Sequence, residues 1–82
     1  MQDFAHLPSP TAAIYGCAGL TLSAAEDAFF RAVNPFGFIL FARNCAEPQQ
    51  VRDLVVALRA AVGRADAPVL IDQEGGRVAR LK

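Results

Sequence analysis

Four ionisable side chains crowd the segment VLIDQEGGRVARLK at residues 69–82: Asp72, Glu74, Arg77 and Arg80. The run before them, PVLID, is continuously apolar until it ends in Asp72. A carboxylate accepts hydrogen bonds from two neighbouring hydroxyls at once, and a guanidinium donates a rigid fork. Gly75-Gly76 between them permits a tight backbone path where side chains would obstruct. Such a set suits a hydroxyl-rich ligand such as a sugar. The same residue types also make a structural Asp–Arg brace or a solvated loop, the commoner outcome, and Gly-Gly is most often a plain turn. Asp72 and Glu74 could act as a retaining glycosidase pair only with their carboxyls about 5–5.5 Å apart, which their spacing approaches without requiring. A phosphate cradle is disfavoured, since neither GxxxxGK[ST] nor GxGxxG occurs and Glu74 would repel an anion.

Other reactive side chains are few. Cys17 and Cys45 are the only cysteines, without CxxC spacing or an adjoining base, and read as reduced, buried packing residues. His6 is the only histidine and stands in a lead-in segment, so no metal site is expected. Arg43 and Asn44 follow an apolar run; they end a strand there and are candidates for the rim of a pocket.

The elements that must position these residues alternate along the chain. Residues 1–11 carry two prolines and no periodicity, and form an extended lead-in. AAIYGCAG (12–19) is a short apolar run closed by glycine, the pattern of a buried strand. TLSAAEDAFFRAV (21–33) opens with Ser23 and Glu26 three apart, a capping box. Its apolar face is predicted to hold Ala25, Phe29, Ala32 and Val33, flanked by Leu22 and Phe30. Asn34-Pro35 stops this helix. FGFILFAR (36–43) is the clearest strand. In EPQQVRDLVVALRAAVG (47–63), Pro48 suits the first helical position and Val51, Leu54, Val55, Leu58 and Val62 make one apolar face. Gly63 is a C-cap, RADAP a connector, and PVLID (68–72) a third buried strand.

Continuously apolar strands alternating with amphipathic helices predict an α/β fold with a parallel sheet covered by helices. In such folds ligands bind at the carboxyl ends of strands, where Asp72 falls. Three strands and two helices do not close a (β/α)₈ barrel, which takes about 250 residues. The 82 residues bound one small domain, 54% hydrophobic, in which eight basic and eight acidic side chains cancel. That balance carries no footprint for nucleic acid or an anionic membrane. Neither a signal pattern nor a membrane-length apolar run is present, so a cytoplasmic protein is expected.

GFILFARN (37–44), PQQVRDLVVALRAA (48–61) and IDQEGGRVARL (71–81) together resemble the amino-terminal part of bacterial β-N-acetylhexosaminidases of glycoside hydrolase family 3. The resemblance runs from about Ala12 onward, and Asp72 to Arg80, matching DQEGGRVxR, is its most specific element. It implies a TIM-type barrel whose first three strands are those read above, residues 1–82 being the amino-terminal part of one catalytic barrel. It implies retaining hydrolysis of terminal β-linked N-acetylglucosamine from peptidoglycan fragments, such as GlcNAc joined to anhydro-N-acetylmuramic acid, in cell-wall recycling. No metal or organic cofactor is implied.

By the same resemblance Asp72 accepts hydrogen bonds from sugar hydroxyls, and Arg80 donates to the substrate or braces Asp72. Glu74 and Arg77 support the loop. The family's aspartate nucleophile, its loop histidine and its lysine–histidine segment fall outside these residues, so no catalytic residue is assigned and the chain alone is expected to be inactive. Many relatives carry an acid near the end of strand one, where this chain has Gly16-Cys17. The alternatives are a β-glucosidase or β-xylosidase of the same superfamily, or a small non-catalytic protein that binds a sugar or a partner.

Overall fold

A computed structural model describes residues 11–73 and 77–81, with side chains from 12 to 72. Residues 1–10 of the predicted lead-in, His6 among them, as well as Glu74, Gly75 and Gly76, lie outside the described residues, whereas Thr11 opens a strand. The order is β1 (Thr11–Tyr15), α1 (Ala24–Val33), β2 (Pro35–Leu40), a 3₁₀ turn (Ala42–Asn44), α2 (Pro48–Val62), β3 (Val69–Gln73) and β4 (Arg77–Leu81). The first three strands are parallel neighbours in the order β1-β2-β3, as the alternating pattern predicted.

Local chemistry sets the helix ends. The Ser23 hydroxyl accepts the Glu26 N–H at 3.1 Å and the Glu26 carboxylate accepts the Ser23 N–H at 3.2 Å, completing the capping box. Asn34 ends α1 in the left-handed region at φ 53°, and Gly63 ends α2 there at φ 68°, the latter a conformation glycine adopts without strain. Arg64 then reaches back to the start of β2, where its guanidinium donates to the Pro35 carbonyl and, at 3.1 Å, to the Phe36 carbonyl.

Both helices lie on one side of the sheet. Phe30 of α1 and Leu54, Val55, Leu58 and Ala61 of α2 share a single buried cluster with Phe38, Leu40 and Val69. Each large aliphatic side chain in it stabilises the fold by about 1.5–3 kcal/mol. Phe30 sets its ring edge against Phe38 at 5.0 Å between centroids. By strand alternation Ile14, Ile39 and Leu70 occupy the other face, where Ile14 is 45% exposed.

Three expectations are corrected. The apolar face of α1 is turned by one position: Phe30 is buried, whereas Phe29 is 48% exposed and Ala25 and Ala32 face outward. Phe29 lies edge-on to Tyr15 at 5.6 Å instead, so the adjacent phenylalanines divide the work of burying and covering. Strand β1 stops at Tyr15 and β2 at Leu40, because the residues after them turn into loops held by side chains. Finally, Arg77–Leu81 is a strand, paired antiparallel to β3, so β3 is not the sheet's open edge.

Candidate functional site at the carboxyl edge of the sheet

Parallel pairing brings the carboxyl ends of β1, β2 and β3 to one edge. Asp72 lies there, one residue past the Leu40–Ile71 rung, half-buried, with Val78 of β4 opposite it. Arg77 is opposite Gln73 and Arg80 opposite Leu70. Both arginines thus stand in β4 rather than in a loop; their side chains lie outside the described residues.

The loop after β1 forms the neighbouring rim, and four successive residues of it are tied by side chains from elsewhere. The Cys17 carbonyl accepts from Asn44 Nδ2 at 3.1 Å and from Arg43 Nε at 3.3 Å. The Ala18 N–H donates to Glu26 Oε2 at 2.8 Å. The Gly19 carbonyl accepts from Asn44 Nδ2 at 2.7 Å, and the Leu20 carbonyl from Gln50 Nε2 at 2.6 Å. Such loops are usually the mobile part of an α/β fold. Here one side chain from each helix and two from the 3₁₀ turn fix the rim.

Arg43 and Asn44, adjacent in sequence, are placed differently. Asn44 is fully buried, and its Oδ1 accepts the Phe41 N–H at 2.9 Å while its Nδ2 spans two carbonyls. All its bonding capacity is turned inward. Arg43 is exposed, and its guanidinium lies over the Phe41 ring at 4.7 Å from the centroid. A Cβ at Gly16 would sit 3.7 Å from Arg43 Nη2 and 3.4 Å from the Phe41 ring, so glycine leaves a small recess beside the guanidinium.

Electrostatics follow burial and bonding. Desolvation pushes the Cys17 thiol up, reinforced by the Glu26 carboxylate, and Arg43 only partly offsets this. A neutral buried thiol is a packing group and not a nucleophile. For Glu26 desolvation pushes up, but the N–H groups of Ala18 and Ser23 and the Ser23 hydroxyl outweigh it and hold the carboxyl below its ordinary range. Among the described residues no cluster of His, Cys, Asp and Glu could hold a metal ion, and no helix is long and apolar enough to cross a membrane. A groove of about 690 Å³ runs along the flank of α2, lined by residues such as Val51, Val55, Val56 and Arg59; its lining does not include Asp72.

Sequence reasoning missed Gln50, Phe41 and the second role of Glu26. Spacing signalled Glu26 as a cap, but nothing local revealed its bond to Ala18, eight residues away.

The chain is therefore an α/β unit with a parallel three-stranded core and a charged carboxyl edge. No family model matches it. It is similar to bacterial proteins named beta-hexosaminidase: 45% identical over 64 residues to that of Pseudomonas aeruginosa, covering 78% of this chain and 19% of the relative. To those of Stenotrophomonas maltophilia and Xanthomonas axonopodis pv. citri it is 44% and 46% identical over 69 and 71 residues, covering 84% of this chain and 20% of each relative. The expected resemblance to bacterial hexosaminidases is borne out. The chain spans about a fifth of the length of these curated relatives.

Proposed function

We propose that these residues supply part of the sugar subsite of a cytoplasmic glycoside hydrolase of family 3, a β-N-acetylhexosaminidase that removes terminal β-linked N-acetylglucosamine from peptidoglycan fragments during cell-wall recycling. The observation that carries this reading is the similarity to several beta-hexosaminidases at 44–46% identity over segments that cover most of this chain. The position of Asp72 at the carboxyl edge supports it, since parallel α/β folds bind ligands there. The three parallel strands run in sequence order with both helices on one face, a winding that a (β/α)₈ barrel shares with one half of a doubly wound sheet.

Asp72 holds two sugar hydroxyls, and charge-assisted bonds of this kind strengthen as charge develops on the ring in a retaining reaction. Arg80, two residues past Val78 on β4, donates to the same sugar or braces Asp72, with Glu74 and Arg77 in a supporting role. The nucleophile and the acid/base come from other parts of the polypeptide, and residues 1–82 alone are inactive. The reaction needs no cofactor.

The test is Asp72→Ala in the protein made from its own gene, assayed on a chromogenic N-acetyl-β-glucosaminide. Loss of two charge-assisted bonds should lower kcat/KM by about 100-fold or more with the melting temperature unchanged. Equal activity, or a loss matched by a fall in stability, makes Asp72 a structural brace.

A further inference from the structure

Gln50 uses all of its bonding capacity, and the two halves of its amide serve different parts of the molecule. Its Oε1 accepts the Ala46 and Glu47 N–H groups at 2.8 and 3.3 Å, and so caps α2 from the third helical position. Its Nε2 donates to the Leu20 carbonyl at 2.6 Å and to the Asn44 carbonyl at 2.8 Å. A primary amide offers two donors and two acceptor sites, and here all four are met. The oxygen therefore belongs to the helix, whereas the nitrogen ties the loop after β1 to the residues after β2. Asn44 makes a second tie to the same loop, at the Cys17 and Gly19 carbonyls. Two side-chain amides thus hold the carbonyls of Cys17, Gly19 and Leu20.

We propose that Gln50 is a positioning residue: through Leu20 and Asn44 it holds the loop after β1 as a fixed wall of the site at the carboxyl edge. Neighbouring strands stand about 4.8 Å apart, so the end of β1 lies roughly 10 Å from Asp72 across β2, a gap that one sugar ring bridges. A wall fixed before binding needs no ordering when the ligand arrives, which tightens binding without acting on the reacting atoms. Gln50 acts through the loop and does not touch the ligand. This inference rests on the sugar-site reading and adds to it a residue of α2 that sets the shape of the site.

The experiment is Gln50→Glu in the protein made from its own gene, assayed on a chromogenic N-acetyl-β-glucosaminide. A glutamate at this position keeps the capping oxygen and suits the positive end of the helix dipole, but it loses both N–H donors and turns an oxygen toward two carbonyls. KM should rise about tenfold with kcat and the melting temperature unchanged, the signature of lost binding shared by ground and transition states. Gln49→Glu controls for charge. It places the same carboxylate one residue away, beside Arg52, which already donates to the Gln49 side chain at 3.0 Å, and it should leave KM unchanged. An unaltered KM in Gln50→Glu makes Gln50 a helix cap only, and an equal rise in Gln49→Glu makes the effect one of charge. A fall in kcat or in melting temperature in Gln50→Glu, or its failure to fold, makes Gln50 a structural support. Each of these overturns the positioning role and leaves the sugar site standing. An inactive native protein overturns the sugar-site reading and this inference together.

Discussion

At the scale of single residues, Asn44 carries the most structure per atom. Buried amides are expensive unless every donor and acceptor is met, and here each is met by backbone. Asn44→Ala would strand the Cys17 and Gly19 carbonyls and the Phe41 N–H, and should cost about 2–4 kcal/mol, measured by denaturant titration. Asn44→Asp should cost more, since an oxygen would then face two carbonyls. A sequence shows an Arg-Asn pair after a strand and no more; which of the two turns inward depends on the loop after β1, 25 to 27 residues away. Asp72 was legible because its position follows from the apolar run that ends in it. The Cys17 thiol, buried and raised, should be alkylated by iodoacetamide far more slowly than Cys45, which is less buried; comparable rates measured by mass spectrometry would show that the rim opens.

At the scale of elements, helix starts and strand cores were readable, and facing was not. The capping box of α1 is purely local, so Ser23 and Glu26 announced it. The buried phenylalanine of the Phe29-Phe30 pair is chosen by Phe38 across the core, which periodicity cannot see. Strand β4 was missed because alternating arginines and apolar residues, RVARL, read equally as a solvated loop until β3 provides a partner. Glu26 now joins two elements, and its depressed pKa sets the sign of a pH effect. Its stabilisation is complete above the ordinary glutamate range near ~4.3 and is lost as pH falls through the lower folded value. The melting temperature of the native protein should therefore exceed that of Glu26→Gln at pH 7, and the gap should narrow as pH falls below the ordinary glutamate range. Gly37 tests the packing of β2 on β3. A Cβ there would meet the Pro68 carbonyl oxygen at 2.6 Å, and that oxygen accepts the Phe38 N–H, so Gly37→Ala should destabilise the protein by about 1–3 kcal/mol in thermal unfolding.

At the scale of the whole molecule, the sheet has, among the described residues, one face under helices and one without, and the two faces make opposite predictions about a single substitution. Ile14 stands on the face away from the helices and is 45% exposed. In a closed (β/α)₈ barrel that face is the packed interior, where inward side chains interdigitate in layers. If these residues are expressed alone, Ile14→Asp removes nothing from their core and lowers exposed apolar area, so it should leave the unfolding transition within about 0.5 kcal/mol and reduce self-association in sedimentation. In the protein made from its own gene, the same change would bury an unpaired carboxylate in the barrel and should cost several kcal/mol or prevent folding. Val56, 67% exposed on the flank of α2, gives a milder version of the contrast through Val56→Asp, since helices around a barrel touch along their flanks. The pair of measurements weighs barrel closure independently of any assay. A change silent in both settings means that the bare face stays solvated, and the carboxyl edge with Asp72 would then belong to an open sheet, where a sugar has one wall to bind instead of a pocket.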